Sequence, residues 1–210
     1  MDEDVINLYL YVYRMEKDRK QFVSESARDA CMKRVVQAYI DEHDIGNVFG
    51  FLDFNRSMID LKTGDISHDF NCRLDGNQNA VTIENLKYAP PEYLNSGGAW
   101  TQNSDNHCLA VLLYVIRYAG FPFDGKLMYK KPIVNVNQAR RFYSDPVFVF
   151  DSRRRENELN TMCDARIMAA WKQDEKSHLG NLFRSVFEDG IKNPAARCTP
   201  QEWMDALNGR

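Results

Sequence analysis

Residues 104–125, SDNHCLAVLLYVIRYAGFPFDG, decide how the rest of the chain is arranged. Nearly every side chain in residues 108–116 is apolar, so a helix here has no polar stripe for solvent and is expected to be buried. Nine residues are too few to cross a bilayer, which needs about 20. Ser104 is a suitable N-cap, and Gly120 is a suitable stop. The sequence therefore predicts a buried central helix with the remaining chain packed around it.

The composition indicates an ordinary globular domain. The chain has 210 residues, of which 44% are hydrophobic and 27% charged, values usual for a soluble protein. A net charge of −3 and a pI near 5.8 leave no broad basic field, so no nucleic-acid partner is expected. The five cysteines are widely spaced and form no CxxC pair, and the chain has only four histidines, which argues against zinc. No signal peptide or membrane span is recognisable, so we expect a cytoplasmic protein without membrane contact.

Helical periodicity predicts most of the other elements. Residues 2–17 open acidic, close basic and carry apolar side chains at helical spacing, which favours a helix over a strand. Residues 26–43 form a clearer amphipathic helix, and residues 164–173 and 177–188 share its periodicity. The last predicted helix begins at Thr199, where the sequence TPQE provides a capping box with proline in the first helical position.

Three stretches depart from this long helical pattern. Residues 57–70 are predicted to form two short strands joined by a turn at KTG. Residues 88–92, YAPPE, begin a short helix with proline at its start. Residues 126–155 are polar and irregular apart from the hydrophobic run 147–150, and the basic run 153–155 is interpreted as a solvated loop. The predicted fold class is therefore mainly α with one small β-hairpin.

The order of these motifs resembles the C-terminal lobe (C-lobe) of a protein kinase. YAPPE at 88–92 is similar to the kinase APE motif, and the SD pair at 104–105 with the LAV that follows resembles the start of the kinase central helix. FPFDG at 121–125 is similar to the segment after that helix, and DFN at 69–71 resembles DFG with asparagine in place of glycine. The likeness extends over residues 25–208. It is most similar to bacterial kinase-like proteins of tellurite-resistance-associated operons.

The resemblance implies a definite domain organisation. Residues 25–210 would form a kinase C-lobe-like helical domain, with residues 1–24 as a helical segment packed on it. Those first residues contain no Gly-rich loop and are too few for a five-stranded lobe, so we expect the nucleotide-binding N-lobe to be absent from this chain. The resemblance also implies a buried, bidentate structural ion pair between Glu92 and Arg197. Asp105 is expected to accept hydrogen bonds from backbone N–H groups of the catalytic-loop segment.

The resemblance further implies that the catalytic machinery is degenerate. In a gap-free register counted back from Asp69, Phe51 takes the place of the catalytic aspartate and Arg56 that of the magnesium-binding asparagine. In the alternative register, a short deletion brings Asp53 to the aspartate position and leaves Met58 where the asparagine belongs. Phenylalanine cannot accept a proton and arginine repels a cation, so we prefer a reading without catalysis or cofactor. Asp69 would hold a metal only in an active protein and is expected to be a structural acceptor.

These features predict a catalytically inactive, pseudokinase-like interaction or scaffold module. The face that nucleotide and N-lobe cover in an intact kinase would be open here, and exposed apolar patches usually mark interaction sites. That face would carry four aromatic side chains: Phe49, Phe51, Phe54 and Phe70. The expected partner is another protein or a second copy of the chain, unless residues 5–13 fold over the face as a lid.

Two alternatives remain open at the level of sequence. The chain could be half of a kinase, or of another phosphoryl or nucleotidyl transferase, whose N-lobe a partner chain supplies. In a second form of this enzyme reading, the lobe itself would run an unusual nucleotide transfer that uses Asp53 and Asp69. The chain could also act as a decoy that competes with a complete kinase for its docking surface.

Overall fold

The computed structural model describes residues 25–42, 59–60, 65–66, 86–96, 101–160 and 164–209, and within these ranges the fold is mainly helical. The helices are α1 (Glu25–Glu42), α2 (Pro91–Ser96), α3 (Gln102–Tyr118), α4 (Lys126–Lys130), α5 (Val136–Tyr143), α6 (Ala165–Asp174), α7 (His178–Arg184) and α8 (Pro200–Leu207). A π-helical segment follows α7 directly (Ser185–Asp189), and two 3-10 turns lie at Arg155–Asn157 and Pro194–Ala196. The predicted class, mainly α, is therefore confirmed. None of the described helices combines the length and apolarity that a membrane span requires.

Two short strands pair antiparallel. They are β1 (Ile59–Asp60) and β2 (Asp65–Ile66), with Ile59 opposite Ile66. The other residues of the stretch 57–70, for which the sequence predicts a hairpin, lie outside the described residues. The same holds for the predicted helix over residues 2–17.

Helix α3 forms the centre of the core, as its apolar run predicts. All residues from 104 to 118 are buried except Leu112, which is half-buried. Aromatic rings from later in the chain surround it: the ring of Tyr114 lies 5.8 Å from Phe148 and 5.5 Å from Phe183, both edge to face. Such pairs contribute about 0.5–1.5 kcal/mol beyond their buried area. Parts of the chain after α3, among them α7, are therefore held to it by directional ring contacts as well as by apolar burial.

Both ends of α3 differ from the predicted ones. The N-cap is Thr101, and Ser104 instead accepts a hydrogen bond from the Thr101 N–H at 3.2 Å. At the other end Ala119, not a glycine, takes the left-handed conformation (φ 57°). Gly120 lies close to α6, since a Cβ there would lie 2.6 Å from the terminal carbon of the Ile167 side chain, which would have to shift. The left-handed residue that ends the helix is therefore Ala119, one position before Gly120. An L-residue in this conformation costs roughly 1–2 kcal/mol.

The prediction that residues 126–155 are irregular is wrong. They contain α4 and α5, and the Asn135 side chain caps α5 by accepting a hydrogen bond from the Gln138 N–H at 2.9 Å. Only Ala139 and Tyr143 of α5 are buried. Val136, Ala139 and Tyr143 nevertheless stand at helical spacing, so the periodic signal for α5 was present in the sequence and the prediction overlooked it.

The other helices predicted within the described residues are confirmed to within a few residues. Residues 26–43 correspond to α1, and residues 164–173 correspond to α6. Residues 177–188 form α7 and the π-helical segment after it. The capping box of α8 is present, because the Thr199 N–H donates to Glu202 Oε2 at 2.7 Å and the Glu202 N–H donates to Thr199 Oγ1 at 3.3 Å.

Candidate functional site

The predicted ion pair between Glu92 and Arg197 is present beside the first turn of α3. Nη1 and Nη2 of Arg197 lie 2.7 Å from Oε1 and Oε2 of Glu92. Two parallel bonds of this kind give geometric specificity as well as energy. The Arg197 side chain is fully buried, whereas the Glu92 side chain is 30% exposed. The pair is therefore buried on the arginine side only, which corrects the expectation that both partners are buried.

The remaining donors of Arg197 join three parts of the chain. Its Nε donates to the carbonyl of Gly190 at 2.9 Å, and its Nη1 also donates to the carbonyl of Asn103 at 2.8 Å. The hydroxyl of Ser104 donates to Glu92 at 3.4 Å. A Cβ at Gly190 would lie 2.6 Å from Cγ of Arg197, so the arginine can pass only over a glycine. One guanidinium thus ties α2, the start of α3 and the end of the π-helical segment together.

Asp105 is fully buried in the first turn of α3. Burial, and next the negative charge of Asp105, raise the pKa of the Tyr39 hydroxyl on α1 to about 12. Tyr39 also accepts a hydrogen bond from the Gln102 side chain. Asp105 is expected to accept hydrogen bonds from the backbone of the catalytic-loop segment. That segment lies outside the described residues. That role therefore stays a prediction.

Two residues that follow in α3, His107 and Cys108, are titratable, but burial keeps both in their neutral forms. His107 is fully buried between the rings of Phe123 and Phe187, with centroids 6.0 and 6.1 Å away, and its ring nitrogens have no hydrogen-bond partner among the described residues. Burial, with a contribution from Arg197, holds the pKa of His107 well below its usual value. Burial likewise raises the pKa of the Cys108 thiol far above its usual value. A thiol held protonated in this way is a poor nucleophile.

A second arginine–carboxylate cluster lies at the other end of α3, and sequence reasoning missed it. Arg117 donates through Nε and Nη2 to the carboxylate of Asp174 at 2.7 and 2.8 Å. It also pairs with Asp29 at 2.8 Å and with Glu25. The hydroxyl of Tyr118 donates to Asp174 at 2.8 Å. Burial, and next the charge of Asp174, raise the pKa of Tyr118, so this hydroxyl remains a proton donor.

An open cleft of about 390 Å³ lies beside Glu92. Its wall includes Asn95 of α2, Ser144 at the end of α5 and Lys192 after the π-helical segment. The Asn95 side chain donates to the Ser144 carbonyl at 2.8 Å. The lining mixes polar and apolar groups without a convergent set of charges, so it does not define a class of ligand.

The residues predicted as degenerate catalytic positions or as the interaction face lie outside the described residues: Phe49, Phe51, Asp53, Phe54, Arg56, Asp69 and Phe70. In the described part of the chain, no three histidine, cysteine or acidic side chains are grouped so that they could hold a metal ion. None of the protein families, curated proteins or solved structures compared with this chain matches it. Its function must therefore be inferred from its own residues and geometry.

Proposed function

We propose that this chain is a pseudokinase-like interaction module, a helical lobe laid out like a kinase C-lobe that binds another protein or a second copy of itself. One observation carries the proposal. The resemblance selects Glu92 and Arg197 from two separate motifs, and these side chains, 105 positions apart, meet through two bonds of 2.7 Å. Long-range pairing of two motif residues is much harder to obtain by chance than a match to either motif. Burial of Asp105 at the start of the central helix gives further support.

The non-catalytic part of the proposal rests on the sequence. Both catalytic-loop registers lose the asparagine that holds magnesium in kinases, and the gap-free register also replaces the catalytic base by Phe51. A kinase without these groups cannot neutralise the charge that develops on the transferred phosphoryl group. Binding is then the remaining use of the lobe. We propose the aromatic face of Phe49, Phe51, Phe54 and Phe70 as the binding surface of this cytoplasmic module.

Nucleotide binding tests the non-catalytic part. We expect ATP with magnesium to leave the melting temperature of the full chain unchanged, because the chain should not bind the nucleotide. Binding would be detected, since a ligand at 100 times its dissociation constant adds about 2.7 kcal/mol to the free energy of unfolding. The measurement is a thermal melt with ATP and magnesium, with either alone, and with neither. A magnesium-dependent rise that Asp69→Asn abolishes would contradict the proposal and favour a transferase half completed by a partner lobe.

Association tests the binding part. We expect light scattering to detect a second copy, or a pull-down from the native host to capture a partner, and Phe51→Asp to abolish either because a charge replaces an apolar contact. Ala169→Asp on the exposed side of α6 is the matched control and should change neither result. A wild-type chain that stays monomeric and captures nothing contradicts the proposed binding face, and favours the lid formed by residues 5–13.

A further inference from the structure

The turn at residues 150–155 is attached to the π-helical segment through one serine. The N–H and the hydroxyl of Ser152 donate to the two oxygens of the Glu188 carboxylate, at 3.3 and 3.0 Å. Ser152 is exposed, whereas the Glu188 side chain is only 8% exposed. We call residues 150–155 the Ser152 turn. The Ser152 hydroxyl therefore combines access from solvent with a bond to a nearly buried carboxylate 36 positions away.

Two other exposed hydroxyl groups in the described part of the chain bond locally instead. Thr101 bonds to Ser104, and Thr199 donates to Glu202, each within the cap of its own helix. A group added to either threonine would stand beside its own helix. A group added to Ser152 acts on the contact between two separate elements.

Three arginines follow Ser152 directly, at positions 153–155. The side chains of Arg153 and Arg155 are 58% and 77% exposed. Arg153 pairs with Asp189 at 2.9 Å, but Asp189 is exposed as well, and exposed pairs of this kind are weak. An acidic surface of another protein can therefore compete for these arginines.

The charges that face Ser152 are already paired. Arg184 donates to Glu188 at 2.8 Å, and Arg153 pairs with Asp189. A phosphoryl group on Ser152 would bring a charge of about −1.5 to −2 against the Glu188 carboxylate. Because both arginines have carboxylate partners, the added charge is repelled, and the bond between Ser152 and Glu188 is broken.

We infer that Ser152 is a phosphorylation site for a separate serine kinase that selects serine followed by arginine. Oγ of Ser152 attacks the γ-phosphorus of a nucleoside triphosphate, and the bond from this phosphorus to the bridging oxygen breaks. The nucleoside diphosphate leaves, and the hydroxyl proton passes to a base of the kinase. The phosphoserine then detaches the Ser152 turn from Glu188.

The detachment reaches the ion pair beside the first turn of α3. Gly190, two residues after Glu188, accepts a hydrogen bond from Nε of Arg197 at 2.9 Å. A shift at the end of the π-helical segment is therefore passed to the guanidinium that ties α2 to α3. This inference goes beyond the proposed function and uses a different part of the chain.

The first measurement is phosphopeptide mapping by mass spectrometry. The full chain is incubated with ATP, magnesium and a purified serine kinase that selects arginine-flanked serines. We expect Ser152 to be modified, and R153S/R155S to lower the initial rate about tenfold, because it removes charge that attracts the kinase. The control K172S/K176S removes two exposed cations elsewhere and changes the net charge equally. Its rate should stay within about twofold of wild type.

Hydrogen exchange followed by mass spectrometry measures the detachment. Ser152→Asp places a carboxylate against Glu188, and we expect the amides of residues 185–190 to exchange about tenfold faster. Ser152→Asn has nearly the same shape, keeps a donor and carries no charge, so exchange should stay within about twofold of wild type. The double variant S152D/E188Q removes one of the two opposed charges and should restore slow exchange. Thermal melts establish that each variant is folded.

Four results would overturn the inference. They are a Ser152 that the kinase leaves unmodified, modification of Thr199 in its place, equal loss of rate in the arginine and lysine variants, and equal exchange in Ser152→Asp and Ser152→Asn. None of these variants alters Phe51 or Asp69. Failure here therefore leaves the proposed function standing, and failure of the aromatic face leaves this inference standing.

Discussion

The two ends of α3 carry arginine–carboxylate clusters that differ in how many partners share the charge. At the N-terminal end, fully buried Arg197 has one carboxylate partner among the described residues, Glu92, and otherwise bonds there to backbone carbonyls. At the C-terminal end, Arg117 has three carboxylates around it, from Asp174, Asp29 and Glu25. The first cluster depends on one residue, whereas the second can lose a partner and keep its cation paired.

The difference has an energetic consequence. Removing one partner of a buried pair strands the other charge, which costs about 3–5 kcal/mol. Where further carboxylates remain within reach, the stranded charge is avoided and the cost falls. Exposed pairs contribute only about 0–1 kcal/mol each, and the side chains of Asp29 and Glu25 are 41% and 59% exposed. The two clusters should therefore respond very differently to single substitutions.

The largest expected effect is that of Glu92→Ala. It leaves the fully buried Arg197 without a carboxylate, so we expect the free energy of unfolding to fall by about 3–5 kcal/mol. Urea denaturation followed by circular dichroism measures it. Glu156→Ala, which removes an exposed partner of Arg154, is the control and should cost under about 1 kcal/mol. If Glu92→Ala costs no more than this control, the N-terminal cluster does not stabilise the fold.

Asp174→Asn should be less damaging, although Asp174 is also buried. Asp29 and Glu25 keep Arg117 paired, so we expect a loss of about 2 kcal/mol, within the range for hydrogen bonds to charged groups. Tyr118→Phe removes only the hydroxyl that donates to Asp174 and should cost about 1 kcal/mol. A loss for Asp174→Asn equal to that for Glu92→Ala would mean that the three carboxylates do not substitute for one another.

His107 makes the N-terminal end of α3 sensitive to acid. Burial keeps its pKa well below the usual value, so the native state stays neutral while the unfolded chain binds a proton near pH 6.5. Stability is therefore lost as the pH falls through 6.5, by up to about 2 kcal/mol between pH 7 and pH 5. Urea denaturation at several pH values gives the slope of the free energy of unfolding against pH. This slope should be shallower for His107→Leu than for the wild type. The exposed His178, changed to Gln, is the control, and equal slopes in all three proteins would refute this role of His107.

The smallest expected effect is that of Asp29→Asn. Burial, opposed by Arg117 but reinforced by Glu25 and Asp174, raises the pKa of Asp29, so the native state disfavours its charged form. The neutral amide should therefore change the free energy of unfolding by less than about 0.5 kcal/mol at pH 7, as expected for a partly exposed pair. Thermal melts at pH 7 suffice to measure it. A loss above that of Tyr118→Phe would show that Arg117 depends on all of its carboxylates.

The two clusters also differ in how far the sequence reveals them. Glu92 and Arg197 each belong to a recognisable motif, so their pairing follows from the resemblance without any knowledge of the fold. Arg117 ends an apolar run, and its partners Asp174 and Asp29 lie 57 and 88 positions away. Nothing in the local pattern of those two carboxylates distinguishes them from solvent-exposed helix residues. A pattern read in one window therefore could not have found the second cluster.

The sequence by itself determined the features whose causes act over a few residues. These are the mainly α class, the burial of α3, the amphipathic helix α1 and the capping box of Thr199 and Glu202, because periodicity and capping involve neighbours within one or two turns. Only the tertiary structure decided which carboxylates surround Arg117. It also decided that Gly120 lies against the Ile167 side chain while Ala119 takes the left-handed conformation. These outcomes depend on which surfaces meet, and that is settled by packing of the whole core rather than by any single stretch.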